Sequence, residues 1–462
     1  MPAPEAPVVR SSSGRGDPDG GGSPGSAAPG LVRSIGRWSL VALLLNGVIG
    51  SGVFRLPAEM AGMLGGQAWI AWVIAGVAIG LVVASYAEVA SRFGRAGGQY
   101  LYARVAFGSF VGLQMGWVSY LVRLTSAAVN VNLFAIYLAE FVPSVGRGPM
   151  AGVAAFCYLF IIASVNYRGV RQAAATSNFF AVIKVVPLVA FAAIGTWLVA
   201  RHGAVEPNAV PLAGPGTWAE AVMLLIFGYG GFESAMVPLG EAKEPERDAP
   251  FALFVGLAGC MLLFVMVQLV TTWALPDAGA QARPLAAAAR ALVGPIGATV
   301  MAAAAVLSLV GWGMSAMVTI PRLTYAMAEQ GDLPRIFGWV HPTYRTPAAS
   351  IVAYAALVLL LALSGSFIQN LTIAVIARLL TYGLVCLTLL VFRRRDGKDP
   401  DLPPPRFRLP AGQLVAALGI AVSLFLGTRL GVREVVMMAV VMGLGTLHWL
   451  LMRGRARGEP AA

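Results

Sequence analysis

The sequence is short of charge. Asp, Glu, Lys and Arg make up only 12% of its 462 residues, against 58% hydrophobic residues, and the mean hydropathy is +0.75. A soluble chain must cover itself with polar surface, and this one has too little to do so. Cysteine is scarce as well. Cys157, Cys260 and Cys386 each sit inside an apolar block, where a thiol packs as a small hydrophobe, and their spacing suits no metal. The three histidines, His202, His341 and His448, are scattered in loops or near a helix end, which supports no metal site. No cluster of His, Asp, Cys or Ser has catalytic spacing, so neither an enzyme nor a bound cofactor is expected. Residues 1–30 have almost no large apolar side chain. Rich in Gly, Ser, Pro and Ala, they cannot bury enough surface to fold, and the stretch 1–35 reads as a disordered tail. It has no apolar core of the kind a signal peptide requires.

What the chain has instead is a series of apolar blocks of roughly 20 residues, the length that crosses a hydrocarbon layer ~30 Å thick. They fall near 36–63, 67–91, 108–140, 148–166, 175–200, 217–240, 250–275, 294–328, 348–364, 367–392, 411–428 and 433–452. The expectation is an all-α polytopic membrane protein with twelve transmembrane helices, of which the long third and eighth tilt or overshoot. The formal charge of +12 sorts by side. Of the 33 Lys and Arg residues, 23 fall on the side that carries both termini, 6 on the other and 4 within spans. That asymmetry puts both termini in the cytoplasm and explains the basic character without nucleic acid.

Two spans are interrupted. The first reads Leu43-Leu44-Leu45-Asn46-Gly47-Val48-Ile49-Gly50-Ser51-Gly52-Val53-Phe54, and the sixth reads Leu225-Ile226-Phe227-Gly228-Tyr229-Gly230-Gly231-Phe232-Glu233. Each glycine weakens a helix by ~1 kcal/mol relative to alanine. Unwound backbone at membrane depth is tolerated only in a protein interior or beside a water-filled cavity. Gly-interrupted segments at corresponding positions of two halves point to a transporter's binding site. Five spans per half force opposite topologies, so 36–200 and 217–392 read as two inverted repeats. Helices eleven and twelve follow at 411–452, then a cytoplasmic tail at 453–462. Gly50, Ser51 and Gly52 would free amides at a helix N-terminus, which suits a carboxylate. Carbonyls at Val48, Phe227 and Gly230 would accept from an ammonium. A site with both features selects an α-amino acid or something like it.

Ionisable residues within spans are functional candidates by default. Glu233 follows the second break and would either carry a proton or bond to the unwound backbone and set a gate. Lys184 lies mid-span, where its ammonium is costly unless it faces carbonyls or a carboxylate. Pointed at unwound carbonyls, it would stand where a related carrier holds Na⁺. Arg123 and Arg378 would either pair with a carboxylate or line a vestibule. Glu88, Glu140 and Glu241, near span ends, are expected at the interface. Trp312 and Ser315, in Gly311-Trp312-Gly313-Met314-Ser315, would either close over a ligand or pack.

From about residue 36 to 452 the chain resembles the amino acid–polyamine–organocation superfamily of permeases. Gly50-Ser51-Gly52-Val53-Phe54 is similar to that family's Gly-Ser-Gly-Ile/Val-Phe motif. Gly97-Gly98-Gln99-Tyr100-Leu101-Tyr102 is similar to its Gly-Gly-x-Tyr-x-Tyr stretch. Phe227 to Glu233 followed by Gly240-Glu241-Ala242-Lys243-Glu244-Pro245 resembles its span-six signature and following loop. Lys184 matches the span-five lysine of sodium-independent members. The resemblance implies a five-plus-five inverted-repeat fold with helices 1 and 6 broken, and alternating access. It implies that the Gly50–Gly52 amides bind a substrate carboxylate, that Val48, Phe227 and Gly230 face its amino group with Gly228 beside them, and that Glu233 serves coupling or gating. Phe227 stands where some arginine-exchanging members carry Trp. The expected function is sodium-independent amino-acid transport across the cytoplasmic membrane, by proton symport or exchange. The partners would be an amino acid, protons in the symport case and the surrounding lipid. The rivals are a polyamine or organic-cation carrier and a non-transporting amino-acid sensor.

Overall fold

A computed structural model of the chain describes residues 36–93, 98–146, 149–168, 173–206, 212–233, 236, 243–329, 333–429 and 431–456. The stretch 1–35 lies outside them, as do residues 457–462, Gly97, and Gly240, Glu241 and Ala242. No strand occurs among the described residues. The helices are α1 (Arg37–Val48), α2 (Ser51–Leu64), α3 (Ala68–Ala90), α4 (Gly98–Phe107), α5 (Ser109–Leu138), α6 (Met150–Tyr167), α7 (Ala173–His202), α8 (Pro215–Tyr229) and α9 (Pro245–Ala274). After them come α10 (Pro284–Val293), α11 (Pro295–Glu329), α12 (Ala348–Ser364), α13 (Phe367–Arg395), α14 (Gly412–Gly427) and α15 (Val432–Ala456).

Local sequence explains the helix starts. Proline opens α8, α9 and α10, where its missing N–H costs nothing. A capping box opens α13: Ser366 Oγ accepts from the Gln369 amide at 3.3 Å, and Gln369 Oε1 accepts from the Ser366 amide at 3.0 Å.

Among the described residues, eight helical stretches are long and apolar enough to cross a bilayer, so the chain passes through the membrane several times. Their outer faces carry exposed Phe156, Phe160 and Ile161 on α6, Val186 and Trp197 on α7, and Leu360 on α12, as hydrocarbon solvent requires. Four apolar helices are shorter: α1, α10, α12 and α14. The expected first span is two helices, α1 and α2, and the expected sixth is described as α8 and the turn after it. The ten-residue helices α4 and α10 fall where loops were expected. At ~15 Å each, they are too short to span.

The buried apolar residues sort into two main groups. One joins α1, α2, α3, α8 and α9 with α13 and takes in parts of α5 and α11, Val129, Leu133, Met301 and Leu309 among them. The other, with Leu124, Tyr158, Ile320 and Tyr354 among its members, is confined to α5, α6, α11 and α12.

Glu88 departs from its expected interfacial position. It is fully buried on α3 and accepts from Arg393 Nε at 2.9 Å, from Arg393 Nη2 at 2.6 Å and from the Leu409 amide at 2.8 Å. Beside it Arg92 pairs with Asp396 at 2.7 Å. A carboxylate one turn from a helix end is buried here because the segment leading into α14 folds back over it. Glu140 is also mostly covered, paired with Arg283 at 2.8 Å and with Arg290 of α10.

Candidate functional site

The helix is interrupted at both glycine-rich segments. After α1 ends at Val48, Ile49 adopts φ −73°, ψ 88° and Gly50 φ −124°, ψ −146°, before α2 begins at Ser51. No side chain caps the N-terminus of α2. The first amides of a helix have no partner within it, and at α2 these include the amides of Ser51 and Gly52. After α8 ends at Tyr229, Gly230 is extended at φ −72°, ψ 157° and Gly231 takes φ +110°, which only glycine adopts without strain.

The two breaks meet backbone to backbone. A Cβ built on Gly52 would lie 3.0 Å from the Gly228 Cα. One built on Gly231 would lie 2.3 Å from the Gly47 carbonyl oxygen. The glycines therefore do two things, since they unwind each helix and let the unwound segments touch. Trp312 of α11 stands over the first break, its Cδ1 3.8 Å from where a Gly50 Cβ would be. Ser315, one turn on, is exposed, and among the described residues no hydrogen bond joins it to either break.

Each break has a cation at the carbonyl end of the helix before it, where the helix dipole favours positive charge. Lys184 of α7, 1% exposed, donates to the Asn46 carbonyl of α1 at 2.5 Å. Arg378 of α13 donates from Nη1 to the Phe227 carbonyl of α8 at 3.2 Å, and its guanidinium lies over the Phe227 ring at 5.2 Å. Arg378 also fills the place a side chain at Gly230 would need, with Nη1 2.0 Å from a Cβ built there. The Phe227 carbonyl, expected to face a substrate amine, thus accepts from Arg378 and from the Gly230 amide at 3.1 Å.

Glu233 closes the second break. Its Oε2 accepts from the Gly231 amide at 2.9 Å and from the Tyr382 hydroxyl at 3.2 Å, and its Oε1 lies 3.6 Å from Arg378 Nε. Arg123 is half-buried on α5, and no hydrogen bond or ion pair joins it to either break among the described residues.

Sequence reasoning missed the residues that hold α2 and α8 in register. Trp72 donates to Gln268 Oε1 at 2.8 Å, and Gln268 Nε2 donates to the Pro57 carbonyl at 3.2 Å. The Tyr229 hydroxyl reaches the Trp72 carbonyl at 2.8 Å, and that of Tyr137 reaches the Phe54 carbonyl at 2.7 Å. A lone glutamine in Val267-Gln268-Leu269 was the legible signal.

The amino acid permease family model matches residues 35–450. The chain is 26% identical over 423 residues to the methylthioribose transporter of Bacillus subtilis, covering 87% of this chain and 89% of the relative. To the glutamate/serine transporter AimA of the same organism it is 28% identical, over 84% and 76% of the two chains. It is 29% identical to the low-affinity putrescine importer PlaP of Escherichia coli, over 65% and 68%.

Proposed function

The chain belongs to the amino acid permease family, and on that premise we propose that it carries amino acids across the cytoplasmic membrane by alternating access, without sodium. One observation carries the reading: the uncapped N-terminus of α2 at Gly50–Gly52 lies against Gly228 of a second broken helix. Unpaired amides at a positive helix end suit a carboxylate. The Val48 and Gly230 carbonyls are the acceptors left for the α-ammonium once Phe227 is engaged by Arg378.

The fold reading is twelve spans in a five-plus-five inverted repeat with two additional C-terminal helices and both termini cytoplasmic. The two apolar groups support it. Spans one, two, six and seven, which are α1 with α2, α3, α8 and α9, lie in one group, spans four and nine, α6 and α12, lie in the other, and spans three and eight, α5 and α11, contribute to both. Rocking of one group against the other would expose the breaks to each side in turn. Lys184 supplies the positive charge that a sodium-coupled carrier would borrow from solution. Glu233, bonded to the Gly231 amide and Tyr382, serves as gate or proton carrier.

The test is uptake of a panel of labelled amino acids by the full chain in proteoliposomes, with and without a proton gradient and with and without trans substrate. Uptake of at least one amino acid, unchanged when choline replaces sodium, is expected. No amino-acid flux or binding by folded protein would refute the proposal. Loss of the gradient response in Glu233→Gln with exchange retained would assign it the proton, and an unchanged response would assign it the gate.

A further inference from the structure

We propose that Arg378 reads the solute's side chain, so that the carrier takes amino acids ending in a carboxylate or carboxamide and rejects diamines and other organic cations. This rests on the reading that the Gly50–Gly52 amides hold the α-carboxylate. Arg378 belongs to the binding region by position. Its guanidinium packs on Gly230, covers the Phe227 ring and bonds the Phe227 carbonyl, inside the break that meets Gly47 and Gly52.

Its donors are underused. A guanidinium offers five N–H groups in a fixed fork, and bonds from it to charged partners usually measure ~2.7–2.9 Å. Arg378 is 6% exposed, yet its contacts are 3.2 Å to the Phe227 carbonyl, 3.5 Å to Ser126 Oγ and 3.6 Å to Glu233. Its Nε has no hydrogen-bond acceptor among the described residues. A buried charge is normally held more tightly than this, because unmet donors in a low dielectric are costly. Lys184 gives the contrast: it makes one short bond to the end of α1. The two cations occupy equivalent places. Each comes from the fifth span of its half and caps the first helix of that half at its break. Lys184 is spent on the backbone, whereas Arg378 retains capacity for a ligand.

The same geometry disfavours a cation. An ammonium approaching the second break would meet a carbonyl that already accepts two protein donors, with a fixed positive charge in front of it. Glu233 offsets that charge only in part, since its carboxylate also accepts from the Gly231 amide and Tyr382. A carboxylate or carboxamide oxygen would instead take up the fork's unused donors.

The experiment measures uptake of labelled glutamate, asparagine, leucine and putrescine by the full chain in proteoliposomes, for wild type, Arg378→Gln and Arg378→Lys. Wild type is expected to take glutamate or asparagine at least tenfold faster than putrescine. In Arg378→Gln the ratio of that uptake to leucine uptake should fall roughly 10–100-fold, the worth of a hydrogen bond to a charged group. Arg378→Lys, which keeps the charge and loses the fork, should fall in between. Putrescine carried as well as glutamate and asparagine by wild type would overturn the proposal even if neither variant folds. So would an unchanged ratio in Arg378→Gln. Leucine uptake shows that the amino-acid reading stands in either case, and no amino-acid uptake at all defeats that reading instead.

Discussion

Gly231 has φ +110°, and the space a methyl group would occupy there belongs to the Gly47 carbonyl. Replacing it with alanine imposes backbone strain of about 1–3 kcal/mol and forces the two breaks apart. Gly231→Ala is therefore expected to lower the thermal midpoint and to abolish uptake even in the fraction that remains folded. Wild-type flux in that variant would show that the backbone contact is dispensable. Gly203 also has positive φ, but nothing lies within 4 Å of a Cβ built there. Alanine at that position would pay the strain alone, without the collision, and uptake should persist.

Among the elements, the buried ion pairs join α3 to α13 and to the strand-free segment before α14. Removing one partner of a buried pair leaves the other charge unpaired, at about 3–5 kcal/mol. Glu88→Ala strands Arg393 and the Leu409 amide together, so its thermal midpoint should drop by several degrees. The exposed Arg247–Glu244 pair, 3.5 Å apart, is the comparison, and Glu244→Ala should shift the midpoint hardly at all. Equal effects from both would contradict the burial argument. These contacts also show where sequence reading stops. Runs of apolar residues disclose helices, and clustered glycines disclose breaks, because both are local. Whether Glu88 meets water depends on residues more than 300 positions away, as does its partner Arg393. For the same reason Arg378 was legible as a charge at membrane depth, while its contact with Phe227, 151 positions earlier, was not. The helices α4 and α10 read as loops because α4 mixes polar with apolar residues, while α10, though apolar, is only ten residues long and too short to read as a span.

For the molecule as a whole, the proposed absence of sodium coupling hinges on Lys184. Lys184→Met removes the donor to the Asn46 carbonyl and leaves the end of α1 without its buried cation, a loss of about 1–3 kcal/mol. Uptake by this variant should fall at least tenfold in choline, while wild-type uptake stays the same in sodium and choline. Sodium-dependent uptake by wild type would remove Lys184 from the role given to it. On the proposed reading, a cation borne on a side chain has a further consequence. Its effective concentration at the break is fixed by its tether and does not follow the medium. Such a site keeps its charge in brine and in fresh water alike. By the same token a cation that never leaves cannot bring the energy of its own gradient, so any accumulation of solute must be driven by another ion or by a second solute moving the other way.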